Sequence, residues 1–191
     1  AVRCVQDVAA KSDRACPSVR GICHSTDLRQ MGKHSLEREF IIAGVQELDC
    51  IFALHEAQKR EIVEMYGVPE ERVRVVGSGY NDELFNQEGR APRVERAPVH
   101  VLYVGKIWRK KGTESLIRCA RYLNTTPSSI TFNLVGGHND EREFAELRAQ
   151  GDASPYRFDF HGKVEQERLL GAYREADVFV LPSFFEGLPL V

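Results

Sequence analysis

VHVLYVG (residues 99–105), ITFNLVGG (130–137), YRFDFHGKV (156–164) and DVFVLPS (177–183) are four short runs rich in β-branched and aromatic residues. Between them stand three amphipathic stretches, TESLIRCARYL (113–123), DEREFAELRAQ (140–150) and QERLLGAYREA (166–176). The order is β-α-β-α-β-α-β. Strands alternating with helices of this length need crossover connections, which are right-handed and lay the helices on the faces of a parallel sheet. Ligands of such sheets sit at the carboxyl ends of the strands, where Gly105, Gly136, Gly137 and Ser183 fall.

The upstream part alternates too, less completely. SVRGICH (18–24) reads as a strand, SLEREFIIAGVQEL (35–48) as a helix, DCIFAL (49–54) as a strand, EAQKREIVEMYG (56–67) as a helix ended by Gly67, and RVRVVGS (72–78) as a strand. NQEGRAPRVERAP (86–98) has two prolines, a glycine, mixed charge and no apolar period, the signature of an interdomain linker. The expected division is therefore 1–88, a linker at 89–98, and a second domain at 99–191. The fold class is α/β with two Rossmann-like parallel-sheet domains, the first incomplete and the second truncated at its C-terminal side. The chain begins without Met and stops directly after the apolar run LPLV, which reads as a fragment.

Composition narrows the function. With 42% hydrophobic and 28% charged residues the chain can bury a core, and no stretch approaches the roughly 20 consecutive apolar residues that span a bilayer. The opening AVRCVQDVAAKSDRA lacks the apolar core of a signal peptide, so the expected location is cytoplasmic, with peripheral association at the inner membrane face left open for the full-length protein. A net charge of −2 argues against a general nucleic-acid binder. Cys4, Cys16, Cys23, Cys50 and Cys119 are scattered without CxxC spacing, as reduced thiols would be, and Cys23 beside His24 has no second pair at zinc spacing, so no metal is expected.

Two segments carry candidate chemistry. In GKIWRKKG (105–112), Lys106 and Lys111 bracket a loop that opens a helix, an arrangement that suits a diphosphate and equally describes a solvated basic turn. In SFFEGLPLV (183–191), Glu186 follows a long apolar strand and precedes Gly187. It is either a carboxylate facing the ligand crevice, beside backbone amides open to a phosphate or sugar hydroxyl, or a helix-entry carboxylate. His24 closes a strand and by itself reads as an inert strand-end histidine. His55 suits a helix cap or an acceptor contact, and the pair Trp108 and Arg109 suits an exposed loop.

Taken in order, YVGKIWRKKG, LVGG and FHGKVEQERLLGAYREADVFVLPSFFEGLPLV resemble the donor domain of the family 4 (group 1) retaining glycosyltransferases of the GT-B fold. HSTDLR and LDCIFALHEAQKREIVEMYGVPEERVRVVGSGYNDELF resemble the stretch that leads into that family's linker. The resemblance implies that Lys106, where the family usually has Arg, and Lys111 neutralise the donor diphosphate. A lysine gives a point charge where an arginine gives a planar fork, so bidentate contact is lost at that position. It implies that Glu186 lies near the donor sugar as the first Glu of a Glu-x7-Glu motif, with Gly187 and Leu188 beside it, and that the second Glu falls three residues past Val191. It further implies that His24 reaches across an interdomain cleft toward the sugar. The nucleobase is then held largely by backbone groups at Lys163 and Val164, with Gly105, Gly136 and Gly137 lining the pocket.

The function implied is transfer of a sugar from a nucleotide-diphospho-sugar to a hydroxyl acceptor (glycan, lipid-linked or small molecule) with retention of anomeric configuration, in glycan, polysaccharide or glycolipid synthesis. No metal or other cofactor is expected, and no nucleic-acid partner. The piece as given is expected to be inactive by itself. The rivals are a sugar-nucleotide epimerase of the same fold, for which Asp27 is the one strand-end acid on the acceptor side, and a non-catalytic nucleotide-binding α/β module.

Overall fold

The structure is a computed structural model that describes residues 8–11, 17–24, 28, 31, 37–88 and 98–191. Cys4, Cys16, Asp27 and the central linker residues 89–97 lie outside the described residues. The chain divides into two compact units, unit 1 of Ala1–Gly79 with Glu186–Leu190 and unit 2 of Tyr80–Phe185 with Val191.

Unit 1 holds a parallel sheet of β1 (Arg20–Ile22), β2 (Cys50–Ala53) and β3 (Val73–Val75), in that order, with helices α1 (Arg38–Gln46) and α2 (Glu56–Tyr66). Its core is built on Ile51, Ala53, Ile62, Tyr66 and Val73, all buried. The α2 start is chemically specific: His55 Nδ1 accepts the Gln58 N–H at 3.1 Å, and the buried Gln58 returns its Oε1 to the Leu54 N–H at 2.6 Å. Two otherwise unpaired donors of the strand-to-helix turn are satisfied in this way, which assigns His55 to helix capping.

Unit 2 holds β4 (Val99–Val104), β5 (Ile130–Val135), β6 (Arg157–Gly162) and β7 (Val178–Phe179). The sheet order is β6-β5-β4-β7 and every pairing is parallel. After β4 the chain steps outward to β5 and β6 and then returns to the other side of β4, which creates a topological switch point at the carboxyl ends of β4 and β7. Helices α3 (Thr113–Cys119), α4 (Glu141–Asp152) and α5 (Gln166–Glu175) make the crossovers. One face is a dense apolar core around Tyr103, Ile117, Phe132, Leu134 and Leu147. Phe158 stacks on Phe132 with centroids 4.4 Å apart. The opposite face packs Leu102, Val104 and Val135 against Leu169, Ala172 and Tyr173 of the α5 region.

One element departs from the sequence expectation. DVFVLPS pairs as a strand only over Val178–Phe179, and Glu186 stands seven residues past the last paired position rather than at a strand end. Beyond Val180, whose N–H still reaches the Leu102 carbonyl at 2.9 Å, Pro182 offers no N–H to extend the ladder. The segment Glu186–Leu190 groups with unit 1.

The strand-end turns of unit 2 are joined by backbone contacts. Gly105 N–H donates to the Val135 carbonyl at 2.9 Å, Ile107 N–H to Gly137 at 2.9 Å, and Gly136 N–H to Gly162 at 2.8 Å. The last bond is available because the β5–β6 register shifts at Leu134/Val135, so that Val135 faces Gly162. Gly136 has φ 148°, and a Cβ there would run into the Gly105 carbonyl oxygen. Gly136→Ala is expected to destabilise the full-length protein by about 1–3 kcal/mol through strain and overpacking. The check is the urea midpoint of unfolding, and an unchanged midpoint contradicts the close approach.

Candidate functional site

The joined turns form the floor of an open depression of about 420 Å³ in unit 2. Its lining includes Gly105, Lys106, Gly136, Gly137, Lys163 and Val164, six of the residues singled out from sequence, together with Val104, Val135, His138, Asn139 and Leu169. Lys111 is not part of the lining. It lies one turn along the same loop, in a 3-10 turn at Arg109–Lys111. His24 is exposed in unit 1, and Glu186, Gly187 and Leu188 belong to the segment that groups with that unit.

Lys106, Trp108 and Arg109 in the loop after β4 are held by groups outside it. The buried Tyr103 donates its hydroxyl to the Lys106 carbonyl at 2.6 Å. The Trp108 N–H reaches Thr113 Oγ1 at 3.3 Å, and the Arg109 N–H reaches Glu143 Oε1 at 2.7 Å. The loop ends at Gly112, in the left-handed region with φ 76°, where a Cβ would overlap the Pro182 carbonyl oxygen. A non-glycine residue is therefore excluded at the meeting of the β4 and β7 ends on two grounds.

The basic residues of this loop have different surroundings. Arg109 is surrounded by carboxylates: Nη2 lies 2.8 Å from Glu146, Nε 3.4 Å from Glu114, and Nη1 3.9 Å from Glu143. The hydrogen bond that Arg109 donates to Glu146 raises the guanidinium above its ordinary value, and the same bond holds the Glu146 carboxyl below the usual carboxylate range. Because that folded value is depressed, the pair's contribution to stability is present above the unfolded carboxylate value and is lost as pH falls through the folded one. Both groups are solvent-exposed, so the contribution is small. Lys110 sits over the Trp108 ring, 4.7 Å from its centroid. Among the described residues neither Lys106 nor Lys163 has an ion-pair partner, so the depression presents two ammonium groups whose charge is not offset by a neighbouring carboxylate.

On the rim, the His138 ring lies flat on Phe144, with centroids 4.0 Å apart and planes 4° from parallel, and its Nε2 meets Glu141 at 2.9 Å. Sequence reading did not single out His138, Tyr103 or Glu143. The D-x-x-E spacing of Asp140 and Glu143 was the available signal for Glu143. Asp140 does cap the helix, accepting the Glu143 N–H at 3.0 Å, but the Glu143 side chain turns to the neighbouring loop instead of back to the cap. A second cavity, of about 330 Å³, lies on the sheet face beside α5, where His100, Asn133, His161 and Arg168 line it. Among the described residues no cluster of three or more His, Cys, Asp or Glu side chains is placed to hold a metal ion. No helix among them is long and apolar enough to cross a membrane. Among the described residues Cys50 and Cys119 are free thiols.

Comparison with known proteins agrees with this geometry. The family of Glycosyl transferases group 1 matches residues 98–191. A glycosyltransferase of Methanocaldococcus jannaschii is 25% identical over 191 residues, covering 92% of this chain and 48% of its own length. The D-inositol 3-phosphate glycosyltransferase of Acidothermus cellulolyticus is 30% identical over 147 residues, covering 70% of this chain and 33% of its own. The chain thus spans between a third and a half of these relatives. Among solved structures, the Anabaena HepE protein in complex with UDP and glucose superposes with a TM-score of 0.66 at 18% identity, over 98% of this chain and 52% of its own. The shared architecture is the GT-B fold, and residues 98–191 carry the match to the group 1 glycosyl transferases.

Proposed function

We propose that the full-length protein transfers a glycosyl group from a nucleotide-diphospho-sugar to a hydroxyl acceptor, with retention at the anomeric carbon. The observation that carries this reading is the depression at the strand ends of unit 2, lined by glycine backbone and by two lysines without an ion-pair partner among the described residues. A nucleoside diphosphate needs what that surface offers: positive charge, close backbone approach, and a partly apolar wall at Val164 and Leu169 for the base. That HepE was crystallised with UDP and glucose supports the same assignment.

In this reading Lys106 offsets the charge that develops on the diphosphate as the sugar leaves, and Lys111 adds positive potential from the same loop. Backbone groups at Lys163 and Val164, with Gly136 and Gly137, receive the nucleoside. Glu186, with Gly187 and Leu188 beside it, and His24 act on the donor sugar. The departing phosphate assists deprotonation of the acceptor hydroxyl, so no protein nucleophile takes part, and no metal is required. The acceptor class is a glycan, a lipid-linked sugar or a small molecule.

The test is to incubate the full-length protein with a panel of sugar nucleotides and acceptors, following nucleoside diphosphate release and the anomeric configuration of the product by NMR. Release that depends on acceptor, with retained configuration, is expected. Interconversion of the donor sugar without acceptor identifies an epimerase, absence of any turnover a binding module, and an inverted product contradicts the mechanism. Lys106→Ala is expected to weaken nucleoside diphosphate binding by about 1.5–3 kcal/mol, the scale of a charge-assisted hydrogen bond, and Lys111→Ala, which removes only positive potential from the same loop, to weaken it by less. Calorimetry reads this directly, and wild-type affinity in both variants removes the diphosphate from this loop.

A further inference from the structure

We infer that Glu143 is a positioning residue, which sets the loop bearing Lys106 through a hydrogen bond to backbone rather than through contact with ligand. The inference rests on the functional reading above for its consequence, and on geometry alone for the positioning itself. Glu143 stands in the first turn of α4, the helix that follows the Gly136 and Gly137 turn, and its own N–H is held by Asp140 at 3.0 Å. From there its carboxylate crosses to the preceding loop and accepts the Arg109 N–H at 2.7 Å, with only 16% of the side chain exposed. The loop after β4 is thereby tied to the start of α4 by the Glu143 carboxylate, as well as to the turn before it by the Ile107 to Gly137 backbone bond.

The arrangement also sorts charge. Arg109 is turned onto Glu146 and Glu114, on the α4 and α3 side, while Lys106 lines the depression without an ion-pair partner among the described residues. Were the Arg109 amide released, residues 106–109 would keep their bonds with Tyr103, Gly137 and Thr113 and the Arg109 side-chain contacts with Glu146 and Glu114, but lose the anchor on the backbone at the distal side. The expected result is a native fold with a loosened loop, in which Lys106 samples positions that do not meet a diphosphate.

Three variants of the full-length protein separate this role from a general structural one. Gln keeps an Oε1 that can accept the Arg109 N–H, Ala removes it, and Asp retains the charge but withdraws it by one methylene. UDP is the calorimetric probe, and hydrogen exchange at residues 105–112 reports the loop. Glu143→Ala is expected to bind UDP roughly tenfold or more weakly, to raise the donor KM more than it lowers kcat, and to exchange faster at 105–112 while α3, β4 and β5 stay protected. Glu143→Asp should follow Ala, and Glu143→Gln should stay close to wild type in all three readouts. Wild-type UDP affinity and loop protection in Glu143→Ala, or Gln as impaired as Ala, overturns the inference. Should the unmodified protein bind no nucleoside diphosphate, the functional reading fails, and loop exchange in the Ala and Gln variants then decides the positioning claim by itself. Should Ala lose protection throughout unit 2, Glu143 is a structural residue and the inference is overturned.

Discussion

Unit 2 depends on three turns being held together at the carboxyl ends of β4, β5 and β6. The bonds from Gly105 to Val135, from Ile107 to Gly137 and from Gly136 to Gly162 close the strand ends into one surface. The closeness of Gly136 to the Gly105 carbonyl leaves no room for a side chain between them. Glycine at these positions is thus a packing requirement of the sheet before it is a convenience for a ligand. The two demands coincide, because the same absence of side chains that lets the turns touch leaves their upper surface bare.

On that floor, the pairing of charges decides which cations are offered. The chain has 26 basic and 28 acidic residues, so net charge predicts no affinity for an anion. Local pairing does. Arg109 is held by its carboxylates and Lys110 lies over an indole, while Lys106 and Lys163 face the depression without ion-pair partners among the described residues. In water an exposed pair contributes little to stability, yet where its members sit governs which charges remain for a ligand.

The sequence was legible wherever local signals and tertiary demands agree. In unit 2 the alternation of apolar runs with amphipathic stretches gave β4, α3, β5, α4, β6 and α5 close to their observed bounds, because a sheet buried against helices forces that alternation. Six of the eleven residues that line the depression are ones that strand ends, glycines and family resemblance together single out. DVFVLPS was read as a long strand because apolar runs carry no information about pairing partners, and only Val178–Phe179 meet a neighbour before Pro182. The spacing of Lys106 and Lys111 suits a diphosphate and a solvated basic turn alike; of the two, Lys106 lines the depression and Lys111 stands in the 3-10 turn at Arg109–Lys111. Glu143 and Tyr103 were invisible for a different reason: their work is done on backbone atoms of another segment, and neither spacing nor residue type announces such a partner.

The central claim is that the strand-end depression of unit 2 receives a nucleoside diphosphate. A crystal structure of the full-length protein with UDP tests it most directly. The account predicts the diphosphate oxygens within about 3 Å of Lys106 Nζ, with the base against Lys163 and Val164 and the Gly136 turn unmoved. UDP seated elsewhere, with the depression unoccupied, contradicts it.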